Sequence, residues 1–163
     1  MKKFLIIQII SFFLIFNTSM SETKFLEGIF SLDSDKNTQA KILKEHKNGI
    51  YENSIKFFKK PAANGVVEAQ YNLAMSYYHG MGVDVDFEKA AELYKIAAEK
   101  GNSTAQFALS IMYAQGQGVD QNMDEFFRLT KLAAKKKEPG AIYNLSQMYR
   151  FGDGGFSKDE KKT

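Results

Sequence analysis

Few side chains in this sequence stand where chemistry would need them. Ser21-Glu22-Thr23-Lys24 fits the SxxK signature of penicillin-recognising serine enzymes, where a lysine one helical turn beyond the serine assists its activation. The companion SDN and KTG elements are missing and the motif straddles an expected cleavage site, so the match is chance. Asp33-Ser34-Asp35-Lys36-Asn37 opens like a calcium loop, but Thr38 stands at the turn glycine and Lys44 at the bidentate glutamate. His46 and His79 are the only histidines, and neither has a partner at metal-ligand spacing. Gly80-Met81-Gly82 lacks the third glycine and the preceding strand of a dinucleotide site. The absence of cysteine removes thiolate metal sites, cysteine nucleophiles, disulfides and a lipid anchor on cysteine. No catalytic residue, cofactor or metal is expected.

What the residues do carry is a period of 36. Ala69-Gln70-Tyr71-Asn72-Leu73 returns as Ala105-Gln106-Phe107-Ala108-Leu109 and again as Ala141-Ile142-Tyr143-Asn144-Leu145. Tyr77, Tyr113 and Tyr149 keep step, as do Gly80, Gly116 and Gly152, then Gly82, Gly118 and Gly154. A second block follows, with Leu93 over Leu129 and Ala97-Ala98 over Ala133-Ala134. Fixed periods of this length mark stacked supersecondary units that cover one another's apolar faces, and such arrays bind partners more often than they catalyse.

Each unit has the grammar of a helix pair. Residues 67–79 carry Tyr71, Leu73, Ala74, Met75, Tyr77 and Tyr78, an apolar pattern broad enough for a helix touched on two sides. Glycines stop that helix, Asp86 takes the N-cap position of the next, and Glu88 adds negative charge to its first turn. The second helix runs to about residue 100, with Phe87, Ala90, Leu93, Tyr94 and Ala97 inward. The following unit repeats this with helices at about 103–115 and 123–137, capped by Asn122. Lys135, Lys136 and Lys137 complement the dipole at its end, and Pro139 opens the next helix. Small alanines at interior positions allow close helix approach. Phe126 departs from this by standing where the first unit has Ala90, so its ring must either spread the second pair or turn outward.

The two ends break the pattern. Lys2-Lys3 followed by an apolar run over 4–16 and small residues near Ser21 is the layout of a signal peptide at 1–21. Thirteen residues rise only about 20 Å, short of the roughly 30 Å core of a bilayer, so a membrane anchor fits less well. Cleavage takes two of the 22 basic residues away, leaving one more base than acid, and near-neutrality argues against nucleic acid. Residues 22–50 are expected to form an atypical cap with a helix near 38–47, and Tyr51 to open a helical half-unit at 51–66 whose one helix runs from Tyr51 to Ala63 with Pro61 in its last turn. Units at 67–102 and 103–138 follow, then a half-unit at 139–151 and a polar, disordered tail at 152–163. Either a partner covers the incomplete third unit or the product is shorter than its relatives.

The pattern AxxxLxxxYxxGxGV, followed by a charged, alanine-rich helix ending in a pair of alanines, resembles the Sel-one-like repeat, a cousin of the tetratricopeptide repeat. Ala69, Leu73, Ala74, Tyr77, Gly80, Gly82, Val83, Asp86, Ala90, Tyr94, Ala97, Ala98 and Gly101 carry it nearly whole. Ala105, Leu109, Tyr113, Gly116, Gly118, Val119, Ala133 and Ala134 carry most of it again. The resemblance implies an all-α fold, an α/α solenoid of antiparallel helix pairs whose first (A) helices line a concave surface. It implies an adaptor that binds protein or peptide. Secreted bacterial members are linked to host interaction and envelope functions, and one cysteine-rich branch to β-lactam binding, a branch from which this cysteine-free chain departs.

By the same resemblance, concave-face positions are Tyr71, Met75, Tyr78 and His79 in the first unit and Phe107, Ile111 and Gln115 in the second. The third offers Tyr143, Gln147, Arg150 and Phe151. This aromatic and apolar set suits capture of a helix or an extended peptide, though each ring also suits packing against the next unit. The chain is thus expected to be an exported, periplasmic or secreted adaptor without cofactor or integral span, able to self-associate through its incomplete third unit. The alternative is an envelope-associated β-lactamase-like or peptidoglycan-interacting repeat protein; a remnant product with little function of its own is a third possibility.

Overall fold

Five consecutive helices of thirteen residues, joined by turns of alternately seven and three residues, account for the period of 36. The computed structural model describes residues 52–151 together with Asn37, Thr38, Ala40, Lys41 and Lys44, these five being helical. The helices are α1 (Glu52–Ala63), α2 (Val67–His79), α3 (Phe87–Glu99), α4 (Ser103–Gln115), α5 (Met123–Lys135) and α6 (Pro139–Phe151). Each packs on the next, and no strand occurs among the described residues. This is the expected all-α solenoid of helix pairs. The expected leader at 1–21, Ser21-Glu22-Thr23-Lys24, most of the calcium-like run, His46, Tyr51 and the tail at 152–163 lie outside the described residues.

The local chemistry repeats with the period. The Asp86 side chain accepts from the Lys89 amide at 2.9 Å, and the Asn122 side chain accepts from the Glu125 amide at 3.1 Å. Asn102 caps α4 in the same way through the Ala105 amide at 2.8 Å. Each side chain satisfies an N-terminal donor that the helix itself cannot pair. Gly80 and Gly116 close α2 and α4 in left-handed geometry with nearly identical dihedrals. Gly118 has a second reason to be glycine: at φ +68° a Cβ there would run into the backbone carbonyl of Phe87 in the preceding unit.

Alanines make the helix contacts. Ala69, Ala74, Ala90, Ala97, Ala105, Ala133 and Ala141 are fully buried, so neighbouring backbones meet with only methyl groups between them. Larger side chains fill what remains, notably Phe58, Tyr94, Leu109, Met112 and Leu129, each contributing about 1.5–3 kcal/mol by leaving water. Two polar ties recur across units. Gln70 Nε2 donates to the Ala62 carbonyl at 3.1 Å, and Gln106 Nε2 to the Ala98 carbonyl at 2.9 Å. Likewise Lys100 Nζ donates to the Gly65 carbonyl at 3.0 Å and Lys136 Nζ to that of Gly101 at 2.7 Å.

Pro61 lies inside α1, which reaches Ala63 as expected. Two expectations need adjusting. The lysine run does not extend α5 to residue 137; the helix ends at Lys135, and Lys137 turns left-handed at φ +65°. Its place in the three-residue turn is that of Gly65 and Gly101, at φ +85° and +91°, so the turn's geometry prevails over the residue's preference. Phe126 is half-buried with its ring 5.3 Å from that of Phe127, and α4 and α5 remain packed, so the bulky ring is absorbed at the edge of the pair.

Candidate functional site between the first helices of two units

Helices α2 and α4 hold equivalent places in successive units, and between them opens a cavity of about 240 Å3. Tyr71, Met75, Tyr78 and His79 line it from α2, and Thr104, Phe107, Ala108 and Ile111 from α4. Tyr94 of α3 and Glu138 of the turn before α6 complete the lining. An apolar cavity of about 150 Å3 holds one benzene, so this one suits a single large side chain better than a cofactor.

Packing fixes the walls. The Tyr71 and Tyr94 rings lie 5.7 Å apart and both are buried, with Tyr94 only 3% exposed. Burial pushes the Tyr94 phenol well above its ordinary range, so it stays neutral. Tyr78 stands edge-on to Phe87 at 5.3 Å and donates its hydroxyl hydrogen to Gln117 Oε1 at 2.9 Å, tying the first unit to the second. His79, at the exposed end of α2, lies 4.9 Å from the Tyr78 ring; desolvation there lowers its proton affinity. On the other side Phe107 rests on the backbone of α6 at Gly140, where even a methyl group would overlap its ring.

Glu138 is the polar exception. It is 3% exposed, and its Oε2 accepts from the Thr104 hydroxyl at 3.0 Å. Its Oε1 is shielded from water and has no hydrogen-bond partner. Among the described residues no cluster of three or more His, Asp or Glu side chains could hold a metal ion. No helix among them is long and apolar enough to cross a membrane.

Six of the eleven concave-face residues expected from the sequence thus meet around one cavity: Tyr71, Met75, Tyr78, His79, Phe107 and Ile111. Met75 lines it while remaining only 2% exposed, so it is wall and core together. Gln115 is exposed at the end of α4 and does not line it. Tyr143, Gln147 and Arg150 lie on α6 away from it, with Tyr143 63% exposed, and Phe151 ends that helix. The lining residues not expected were Tyr94, Thr104, Ala108 and Glu138. Tyr94 was legible as an inward residue but not as a groove wall. Glu138 follows Asn102 by one period, and a carboxylate replacing a capping amide is the signal that marks it.

No curated protein matches the chain. Among solved structures, it is similar to a Sel1 repeat protein from Oxalobacter formigenes, at 29% identity and a TM-score of 0.62, over 68% of this chain and 45% of that one. It also shares the fold of a protective antigen present in uropathogenic Escherichia coli strains displaying an SLR fold. That likeness has 24% identity and a TM-score of 0.62, over 81% of this chain and 26% of the other. The chain therefore spans less than half the length of either. A profile of the Sel1 repeat matches residues 67–102, 103–137 and 139–163, with the third match running beyond the last described helix. With three matches at the spacing of the helix pairs, the chain belongs to the Sel1 repeat family.

Proposed function

We propose that this protein is a non-catalytic interaction scaffold that captures a segment of a partner protein in the groove between α2 and α4. Sel1 repeats generally mediate protein–protein interaction. The observation that carries the reading here is the cavity itself, a ring-lined recess at equivalent faces of two successive first helices. Aromatic walls held by their own packing offer apolar area with little ordering left to lose, the property of interface anchors. Apolar burial would dominate binding, with weak dependence on salt apart from any charged contact at Glu138.

The test must spare the core. Met75 is too buried to accept a charge without unfolding risk, whereas Ile111 is half-buried and His79 exposed. The double variant Ile111→Glu, His79→Glu should keep the helical circular-dichroism signal and lose partner capture; capture at wild-type strength would remove the groove from the account. We further propose that the protein is exported, on the strength of residues 1–21 alone. Mass spectrometry of the cell-processed protein should find Glu22 at its amino terminus, and an intact Met1 would refute export by this leader.

A further inference from the structure

Resting on the scaffold reading above, we propose that the α2–α4 groove is built for an arginine side chain presented by a peptide partner, its guanidinium directed to Glu138 and its stem laid along Tyr71, Tyr94 and Phe107. Glu138 is the one acidic side chain in the described lining, and no Lys or Arg lines the cavity. Its Oε2 is occupied by Thr104, while Oε1 is buried with no donor. A buried carboxylate oxygen in that state is costly unless something supplies an N–H. The terminal torsion of a glutamate is broad and soft, so the carboxylate turns to meet a donor entering the cavity at little cost.

The rest of the lining favours a cation for an independent reason. Tyr71, Tyr78, Tyr94 and Phe107 present aromatic rings, whose faces attract positive charge most strongly when water is excluded. Between the two basic side chains the site favours arginine. Its planar guanidinium stacks on rings, is weakly hydrated, and still has N–H groups to give to one free carboxylate oxygen. His79 at the rim adds no competing charge at neutral pH, because desolvation lowers its proton affinity.

The test titrates the full chain with short capped Gly/Ser peptides that differ at one central residue, Arg, Lys, citrulline, Leu or Glu, read by calorimetry at low salt. The Arg peptide should bind best, and citrulline, which keeps the shape but not the charge, about tenfold or more weaker. Glu138→Gln should bring Arg and citrulline within about twofold of each other. Equal binding of Arg and citrulline by the wild type, preference for Leu or Glu, or no binding of the Arg peptide would each overturn the inference. An Arg preference that survives Glu138→Gln would overturn the role of that carboxylate. Should Glu138→Gln fail to fold, the wild-type Arg-to-citrulline ratio decides alone. Tighter Arg binding after Lys158→Gln, Lys161→Gln and Lys162→Gln together would seat this chain's own tail in the groove and overturn the choice of an external partner. If partner capture is lost in the Ile111→Glu, His79→Glu variant while all peptides bind alike, the scaffold reading stands and only the arginine falls.

Discussion

The two full units share the caps of their second helices, the glycines that end their first helices, Gln–carbonyl ties and lysine ties, yet they fill the space between their own helices differently. In the first, a buried Ala74 is paired in the repeat with a buried Tyr94, whose ring lies against that of Tyr71. In the second, the same two positions hold Ser110 and Thr130, both fully buried, and the Thr130 hydroxyl donates to Ser110 Oγ at 3.2 Å. One unit is closed by a ring and the other by a hydrogen bond. The ring reaches the groove and becomes part of its wall, whereas the threonine reaches only its neighbour. The two units thus keep the stacking chemistry constant while the residue at one interior position, Tyr94 or Thr130, decides whether the second helix adds a ring to the groove.

Exchanging those positions is the severest way to break the contrast. Tyr94→Thr should cost about 3 kcal/mol in denaturant unfolding, since a buried ring leaves a cavity behind. Thr130→Tyr should cost about 1–3 kcal/mol by overpacking, and a neutral outcome for either would mean the two interiors are interchangeable. Next comes Gly118→Ala, which pairs a strained backbone with an overlap on the Phe87 carbonyl. It should lose about 2 kcal/mol and loosen the second unit from the first, visible as faster amide exchange in α3 and α4. Smaller and opposite in sign, Lys137→Gly should stabilise by about 0.5–1 kcal/mol, making the last turn like those at Gly65 and Gly101.

The smallest effect is a pH response at His79. Its folded-state proton affinity is lowered by desolvation, so the contribution of the neutral ring is present above the ordinary value near 6.5 and is lost as pH falls through the lowered one. Relative to His79→Gln, the wild type should therefore lose a little stability on acidification below about pH 6.5, and a parallel pair of curves would contradict it.

Helices and caps were legible because each leaves a residue type at a fixed place: Asp86 or Asn122 before a helix, Gly80 or Gly116 after one. The end of α5 was not. Three lysines look like a favourable helix terminus, and only comparison with the glycine one period earlier shows that Lys137 must leave the helix. The groove was legible on α2 and the first turns of α4, where side-chain periodicity fixes a face. On α6 the expected positions lie outside that cavity: Phe107 rests against Gly140, and Tyr143 is exposed to solvent. Glu138 escaped because a carboxylate in a short turn looks solvated in sequence. Its hydrogen-bond partner is Thr104, 34 residues earlier, a pairing that no local pattern displays.

Photo-crosslinking from the groove tests the central claim most directly. With a photoreactive amino acid placed at Ile111 in one preparation and at exposed Leu132 of α5 in another, partner adducts should form from residue 111 and not from residue 132. Adducts from 132 alone would put the interaction on the opposite helices and contradict the account.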